Sequence, residues 1–194
     1  MARKAAVKRK TKETEISLGL NLDGSGKASV STGLKFFDHM LETLARHALF
    51  DLSVKAAGDI DVDEHHLVED VAICLGKAVA DALGDKRGMR RFGDAIVPMD
   101  DALARVGLDL SGRAYLVYSV DFKRAKIGDV REENFEHFFD SFAKNAGANL
   151  NICAEGKNDH HKIEAVFKAV AKSLREAVER DPRVGIASTK EKLE

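Results

Sequence analysis

Hydrophobic residues recur three and four positions apart in four segments of the chain, which is the spacing of one face of an α-helix. The run Ile163, Phe167, Val170 and Leu174 is typical. Glycine or proline stands where several of these patterns stop, as expected at helix ends. The pattern predicts helices over Phe37–Leu49, from Leu67 to about Gly84, from Phe135 to about Gly147, and from Ile163 to Asp181-Pro182.

Apolar and polar residues alternate between the predicted helices, which indicates β-strands. The start of the chain is predicted to be one extended segment, Met1–Leu22, closed by a turn at Asp23–Gly26. We expect Ala28–Leu34 to be its hairpin partner. Further strands are predicted at Leu52–Ala57, within Phe92–Phe122 with turns at Val97-Pro98 and Ser111-Gly112, and at Asn149–Cys153.

The two halves of this pattern repeat. His39 recurs as His137, 98 residues later, and His65 recurs as His160, 95 residues later. Each copy has a helix, a strand, a polar loop and a second helix that opens with His-His-x-x-Glu. We therefore predict one duplicated α+β domain over residues 1–194, with halves at about 1–90 and 91–182. Residues 183–194 are predicted to be a polar, mobile tail.

The repeated motif collects histidine, whose neutral ring nitrogen is a good metal ligand. Six of the seven histidines occupy matching positions of the two copies. A glutamate four residues after the first histidine of each pair shares its helix face. The candidate metal ligands are His39, His65, His66, Glu69, His137, His160, His161 and Glu164.

Adjacent histidines bear on how many ions the site holds. Side chains one residue apart on a helix diverge by about 100°, so His65 and His66 are poorly placed to bind one ion together. A dinuclear site fits better, with positions left open for substrate. The nitrogen and oxygen ligands suit Mn, Fe, Zn, Co or Ni. Ordinary surface histidines and a purely structural metal site are the alternatives. The second copy argues against the former, and the lack of a nearby cysteine argues against the latter.

Composition narrows the class of protein without identifying it. Hydrophobic residues make up 44% of the chain and charged residues 32%, with a net charge of −1. This balance is typical of a soluble globular protein and favours neither a nucleic-acid nor a membrane partner. No apolar run is long enough to span a bilayer. Cys74 and Cys153 lie in apolar runs, which favours a reducing, cytoplasmic compartment.

A second group of polar residues could bind a phosphate. Arg91 and Arg113 stand near predicted strand ends, where two guanidinium groups could clamp an oxyanion. Lys168 lies almost two helical turns after His161 and could face an anion near the metals. The tail element Ser188-Thr189-Lys190 could close over an anion. For each of these residues a solvated surface position is the alternative.

Several motifs taken together resemble imidazoleglycerol-phosphate dehydratase. The resemblance runs from about Arg9 to Lys190 and includes no phosphatase domain, as in monofunctional members of the family. The motifs are Phe37-Asp38-His39-Met40-Leu41, Asp63-Glu64-His65-His66-Leu67-Val68-Glu69-Asp70, Pro98-Met99-Asp100-Asp101-Ala102-Leu103, Asp109–Arg113, His137-Phe138-Phe139 and Asn158–Glu164.

The resemblance implies a fold, an activity and an assembly. The expected fold packs helices between two four-stranded sheets. The expected activity is a hydro-lyase of histidine biosynthesis that dehydrates D-erythro-imidazole glycerol phosphate to imidazole acetol phosphate. Two manganese ions per active site are implied, as are 24-subunit particles whose sites lie between subunits.

The resemblance also assigns roles by position. The eight candidate ligands become the metal ligands. Glu13, in Arg-x-Thr-x-Glu-Thr, matches the family's proposed acid/base carboxylate, and Glu69 and Glu164 are second choices for that role. The residues implied to contact substrate are Glu13, His47, Arg91, Arg113, Lys168, Ser188 and Lys190.

We hypothesise that the dinuclear manganese site binds the substrate as an imidazolate, which expels the adjacent hydroxyl and gives a diazafulvene-like intermediate. A carboxylate, Glu13 first, then removes the neighbouring carbon proton, and the resulting enol becomes the ketone. Two other functions remain open at this point. One is a metal-dependent hydrolase of a phosphorylated small molecule, and the other is a non-catalytic metal-binding assembly module.

Overall fold

A computed structural model describes residues 3–193. The predicted start of the first strand at Met1, its neighbour Ala2 and the last residue of the predicted tail, Glu194, lie outside the described residues. Among residues 3–193, no helix is both long and apolar enough to cross a membrane.

Four helices and two four-stranded sheets make up the described fold. The helices are α1 (Lys35–Ala48), α2 (His65–Leu83), α3 (Glu133–Ala146) and α4 (Asp159–Ala177). The first sheet contains β1 (Lys4–Lys10), β2 (Thr14–Asn21), β3 (Ala28–Ser31) and β4 (Asp51–Gly58). The second contains β5 (Phe92–Met99), β6 (Ala102–Asp109), β7 (Tyr115–Val120) and β10 (Asn149–Glu155). A small hairpin joins β8 (Lys126–Ile127) to β9 (Val130–Arg131).

The two large sheets have the same topology. Their strand orders are β1-β2-β4-β3 and β5-β6-β10-β7. Each ends in one parallel pair, β3 with β4 and β7 with β10, so both sheets are mixed. The helices lie between the sheets, with α2 against β1 and β2, and α4 against β5 and β6. The predicted duplicated α+β architecture, with helices between two four-stranded sheets, is confirmed.

The four predicted helices are present, but some strand predictions were wrong. The first extended segment is two antiparallel strands, β1 and β2, joined through a turn at Thr11–Glu13. The predicted hairpin partner, β3, does not pair with β2. It pairs in parallel with β4, because α1 carries the chain back across the sheet. The carboxylate of Asp51 anchors the preceding loop by accepting hydrogen bonds from the backbone N–H groups of Ser25 and Lys27.

Two boundaries also moved. The turn predicted at Val97-Pro98 falls at Asp100-Asp101, and Pro98 lies inside β5. Proline is tolerated there because β5 is an edge strand, where a missing N–H need not break the ladder. The fourth helix begins at Asp159 and ends at Ala177, four residues before the predicted stop.

Close packing between helices of different halves brings the repeated motifs together. Helix α2 packs on α3, and α1 packs on α4. At the first of these contacts Gly76 has no room for a side chain, since a Cβ atom there would lie 2.7 Å from the carbonyl oxygen of Phe142. The two pairs of helices therefore combine one helix from each half.

Candidate metal centre and anion cavity

The first cluster of candidate ligands combines His65 and Glu69 of α2 with His137 of α3. One ligand atom from each of these three residues lies within 4.8 Å of the others. The imidazole rings of His65 and His137 stack with their centroids 4.4 Å apart. Nε2 of His137 is 3.2 Å from Oε1 of Glu69. We call these three residues the α2–α3 cluster.

The second cluster combines His160 and Glu164 of α4 with His39 of α1. Oε2 of Glu164 lies 3.0 Å from Nε2 of His160 and 3.5 Å from Nε2 of His39. The other carboxylate oxygen, Oε1, pairs with Nζ of Lys168 at 2.8 Å. Burial opposes ionisation of Glu164, but the hydrogen bond and charge of Lys168, aided by His160, hold its pKa below the ordinary value. We call His39, His160 and Glu164 the α1–α4 cluster.

The upstream histidine of each half thus completes the motif of the other half. His137 of the second half joins the first motif, and His39 of the first half joins the second. The repeat identifies the matching residues, but this exchange depends on which helices pack together. It explains why one chain needs both halves to build either cluster.

The second histidine of each pair lies apart from its neighbour, as the one-residue spacing predicts. The rings of His65 and His66 are 5.9 Å apart and nearly perpendicular, and those of His160 and His161 are 6.1 Å apart. Nδ1 of His66 contacts Oδ2 of Asp59 at 3.2 Å, and this hydrogen bond raises the pKa of His66. Nδ1 of His161 contacts Oδ1 of Asp101 at 2.7 Å.

The donors in the α2–α3 cluster fit a divalent transition-metal ion. Two imidazoles and one carboxylate supply the nitrogen and oxygen ligands that Mn, Fe and Zn accept. Nε2 of His137 is buried and has no hydrogen-bond partner among the described residues, because the nearby Glu69 oxygen lies in poor hydrogen-bond geometry. A buried ring nitrogen without a partner is unfavourable unless something binds it. A metal ion shared with His65 and Glu69 would satisfy it.

Glu13 lies in the turn between β1 and β2, exposed to solvent. Its carboxylate contributes to the raised pKa of His66, which places it on the His66 side of the α2 N-terminus. Strand register makes Asp101 its counterpart in the second half, since β2 and β4 pair as β6 and β10 do. The Asp101 carboxylate is hydrogen-bonded to His161 and to the backbone N–H groups of Asn158 and Lys157, and these bonds together lower its pKa. Within residues 3–193, the Glu13 carboxylate has no hydrogen bond and is free to act on a ligand.

A separate cavity collects four of the residues predicted to bind phosphate. It has a volume of about 710 Å³ and is lined by basic and hydroxyl side chains from the second half and the tail. Arg91 forms two hydrogen bonds to the carboxylate of Asp109, at 2.7 and 2.9 Å, and donates a third to the carbonyl oxygen of Ala187. The predicted residues in its lining are Arg91, Arg113, Ser188 and Lys190.

Like Glu13, the predicted substrate contacts Lys168 and His47 lie outside this cavity. Lys168 pairs with Glu164 beside the α1–α4 cluster. His47, at the end of α1, faces the same region of α4. Partial burial, together with the positive charges of Lys168 and Lys172, lowers its pKa. These two residues therefore flank the α1–α4 cluster and do not line the cavity that contains Arg91 and Arg113.

Sequence reasoning missed the residues that hold the histidines. Asp59 and Asp101 fix His66 and His161, and Oδ1 of Asn134 lies 3.0 Å from Nδ1 of His65. Asp101 could have been found from the strand register that makes it the counterpart of Glu13. Asn134 carried no such signal, because its counterpart in the first half is Phe36, an aromatic residue.

Comparison with known proteins points to one family. A family model described as imidazoleglycerol-phosphate dehydratase matches residues 32–174. The protein of that name from Methanothermobacter thermautotrophicus is 55% identical over 191 residues, which cover 98% of each chain. The one from Citrifermentans bemidjiense is 54% identical over 195 residues and matches along the whole of both chains. A histidine biosynthesis bifunctional protein from Spirosoma linguale is 57% identical over 180 residues. That match covers 93% of this chain, which spans 47% of the bifunctional protein.

Solved structures with the same fold carry the same family name. The crystal structure of imidazoleglycerol-phosphate dehydratase from Staphylococcus aureus superposes with a TM-score of 0.83 at 32% identity, covering 92% of this chain and 99% of that one. The enzyme from Pyrococcus furiosus superposes with a TM-score of 0.84 at 34% identity, covering 96% of this chain and 100% of that one.

Proposed function

Since this chain belongs to the imidazoleglycerol-phosphate dehydratase family, we propose that it is the lyase that dehydrates D-erythro-imidazole glycerol phosphate to imidazole acetol phosphate in histidine biosynthesis. The observation that carries the proposal is the pair of His/His/Glu clusters, each built from both halves of the duplicated fold. A substrate with an imidazole ring and a phosphate needs a ring-binding site and an anion site. The chain offers residues suited to each.

The proposed cofactor is manganese, two Mn²⁺ ions per active site. His65, Glu69 and His137 would hold one ion, and His39, His160 and Glu164 would hold an ion of the symmetry-related type, with His66 and His161 as further ligands. Bound divalent metal would supply positive charge that favours loss of a proton from the substrate imidazole near neutral pH. The rings of His65 and His66 are separated and nearly perpendicular, which supports the binding of a different ion by each side chain.

The proposed phosphate site is the cavity lined by Arg91, Arg113, Ser188 and Lys190. Arg113 and Lys190 would contribute positive charge, and Ser188 a hydroxyl donor, to the phosphate oxygens. Arg91 is held in place by Asp109 and by the carbonyl of Ala187, so its guanidinium is oriented before substrate arrives. Lys168 and His47 would contact substrate from the side of the α1–α4 cluster. Holding the phosphate at one end and the ring at the other would fix the carbon atoms that react.

Dehydration requires three bond changes, and the chain has candidate groups for the proton steps. The carbon–oxygen bond beside the ring breaks and the hydroxyl leaves as water. A proton leaves the neighbouring carbon, and the enol so formed tautomerises to the ketone. We assign removal of that carbon proton to Glu13, because its carboxylate is exposed, unpaired and next to His66. Glu69 and Glu164 are second choices for this role, since each already contacts histidine.

The proposal includes assembly into particles of 24 chains with active sites between subunits, and a cytoplasmic location. Each cluster draws three candidate ligands from its own chain, which leaves room for His66 or His161 of a neighbouring chain to complete it. Free thiols at Cys74 and Cys153 are consistent with a reducing compartment.

The proposal is tested by incubating the purified protein with imidazole glycerol phosphate and following keto product and inorganic phosphate together. We expect keto product without phosphate release, loss of turnover after metal chelation, and recovery on adding Mn²⁺. Release of inorganic phosphate would instead identify a hydrolase. Metal binding with neither product would identify a non-catalytic module.

A further inference from the structure

A network of hydrogen bonds joins the buried side chains of Glu64 and Asn134 to the half-buried His65 of the α2–α3 cluster. Glu64, the residue before the histidine pair, is 6% exposed, and Asn134 on α3 is 1% exposed. Oε1 of Glu64 accepts a hydrogen bond from the backbone N–H of Arg131 at 2.7 Å and from Nδ2 of Asn134 at 3.3 Å. The other end of the same amide, Oδ1 of Asn134, lies 3.0 Å from Nδ1 of His65.

The donors and acceptors of this hydrogen-bond network determine which ring nitrogen of neutral His65 carries the proton. The Glu64 oxygen that accepts the Arg131 N–H requires the amide nitrogen of Asn134 to face it. The carbonyl oxygen of Asn134 must then face His65, and a carbonyl oxygen has no hydrogen to donate. Nδ1 of neutral His65 therefore carries the proton, and Nε2 keeps the lone pair.

The matching histidine of the second half, His160, has no such support from residues 3–193. The counterpart of Asn134 is Phe36, whose ring lies 5.2 Å from that of His160. The counterpart of Glu64 is Asp159, whose carboxylate accepts hydrogen bonds from the backbone N–H groups of Lys123 and Arg124. Among the described residues, no hydrogen bond links Asp159 to the ring of His160. The two clusters of one chain thus differ in the groups that hold their first histidine.

We propose that Asn134 and Glu64 are positioning residues that lock His65 in the Nδ1–H form and present its Nε2 to a divalent metal ion. Hydrogen-bonded partners behind a histidine ligand orient the ring and set its protonated nitrogen, and their loss typically weakens metal binding by about 10- to 100-fold. The inference rests on the metal-binding part of the proposed function. The inference adds that Asn134 and Glu64 strengthen metal binding by the α2–α3 cluster. Metal binding by the α1–α4 cluster does not depend on these two residues.

Mn²⁺ binding to chelator-treated protein tests the proposal, with free Mn²⁺ measured by its electron paramagnetic resonance signal. We expect Asn134→Leu to raise the dissociation constant of one class of site by about 10- to 100-fold and to leave the other class unchanged. Asn145→Leu is the matched control, because it is the same substitution on the same helix. Among the described residues, the Asn145 side chain hydrogen-bonds only to the carbonyl of Ser141. This variant should bind Mn²⁺ as the wild type does.

Two substitutions at Glu64 separate positioning from packing. Glu64→Gln keeps an oxygen that can accept from both Arg131 and Asn134, so Mn²⁺ affinity should stay close to wild type. Glu64→Leu removes that oxygen and should resemble Asn134→Leu. Wild-type affinity in both leucine variants, or equal losses in Glu64→Gln and Glu64→Leu, would overturn the proposal.

The protonated nitrogen can also be observed directly in the unmutated protein, which covers the case of a leucine variant that does not fold. Solid-state nitrogen NMR of histidine-labelled, chelator-treated protein at about pH 8, where imidazole is neutral, distinguishes the two neutral forms. The His65 signals are identified by their loss in His65→Gln. We expect a protonated Nδ1 at His65, and a protonated Nε2 would contradict the proposal. Neither readout uses substrate, so a failure of the proposed dehydration alone does not affect the result.

Discussion

Glu13 and Asp101 occupy matching turns of the two halves but have different surroundings. Asp101 accepts hydrogen bonds from His161 and from two backbone N–H groups. Glu13 is exposed, and the described residues give its carboxylate no hydrogen bond. A general base must be free to reach the proton that it removes, and an occupied carboxylate is not. The duplication has therefore left one of the two turn carboxylates available for chemistry.

Glu13→Gln should lower kcat by about 10²- to 10⁴-fold, the usual range for a lost general base, without changing the amount of bound metal. Turnover and metal content are measured on the same preparation. Glu15→Gln is the control, because Glu15 is a nearby exposed carboxylate that pairs with Lys10. Near-normal turnover in Glu13→Gln would contradict the assignment.

Arg91 and Arg113 line the same cavity but differ in what holds them. Arg91 bonds to Asp109 and to the carbonyl of Ala187, whereas the side chain of Arg113 forms no hydrogen bond or ion pair with the other described residues. We expect Arg113→Met to lower kcat/KM by about 10- to 100-fold through loss of a charged hydrogen bond, mainly by raising KM, with little change in Tm. Arg91→Met should lower Tm as well.

The control for the arginine prediction is Arg87→Met, since Arg87 is exposed and its one ion pair with a described residue is with Asp85. Steady-state kinetics and thermal unfolding of all three variants give the comparison. An unchanged KM in Arg113→Met would place the phosphate elsewhere.

His66 gives the metal-free protein a pH-dependent stability. The hydrogen bond to Asp59 raises the pKa of His66 from its ordinary value of 6.5. A raised folded-state pKa contributes stability that is fully present below the unfolded-state value and is lost as the pH rises through the folded-state value. Asp59→Asn should therefore lower the Tm of chelator-treated protein more at about pH 5.5 than at about pH 8.5. Asp61→Asn, in the same loop, serves as control, and equal losses at the two pH values would contradict the prediction.

At the scale of single residues, the sequence predicted the candidate ligands better than it predicted the residues that hold them in place. The doubled motif identified the histidines and glutamates that the fold gathers into two clusters. The positions of Arg91 and Arg113 near predicted strand ends suggested the arginines that line one cavity. It could not predict that His137 joins His65, because that contact depends on the packing of α2 against α3. Nor could it predict Asn134, whose role depends on a hydrogen bond between helices 69 residues apart in sequence.

Among the elements, the β8–β9 hairpin is the clearest difference between the two halves. It lies between β7 and α3, where the first half passes directly from β3 to α1. Its Asp129 carboxylate accepts the backbone N–H of Phe36 at the start of α1, and Arg131 donates its N–H to Glu64 at the start of α2. The hairpin thus fixes the ends of two first-half helices, one carrying His39 and the other His65.

Gly128 at the tip of this hairpin should tolerate no side chain. Its φ is 62°, and a Cβ atom there would lie 2.4 Å from Cβ of Phe36. Gly128→Ala combines left-handed strain of about 1–2 kcal/mol with that collision, so Tm should fall clearly. Gly88→Ala is the control for alanine at positive φ, since its φ is 71° and a Cβ there would lie no closer than 3.7 Å to another residue. Equal loss of Tm in the two variants would show that the contact with Phe36 does not matter.

The elements also show which structural features cannot be predicted from local sequence patterns. Helices were predicted well because their apolar spacing is local and three or more turns long. The partner of β3 was predicted wrongly because alternation indicates a strand but not its neighbour, and the intervening α1 sets a parallel crossover. Pro98 suggested a turn but lies within an edge strand, where its missing N–H is harmless.

At the scale of the whole molecule, the duplicated fold and the packing of helices from different halves explain how the two clusters form. Each half contributes an upstream histidine to the cluster of the other half, so neither cluster belongs to one half. The halves have also diverged around the shared plan. Lys168 pairs with Glu164 at the α1–α4 cluster, while its counterpart in the first half is Ile73. The two proposed ions of one chain would therefore occupy unlike surroundings.

The central claim about this protein is that dehydration requires bound metal. Chelator-treated protein is titrated with Mn²⁺ while bound metal per chain and keto product from imidazole glycerol phosphate are measured on the same samples. We expect no turnover without metal and a rise in turnover that levels off when two ions are bound per chain. Full turnover by metal-free protein, or a plateau at one ion or fewer per chain, would contradict the account.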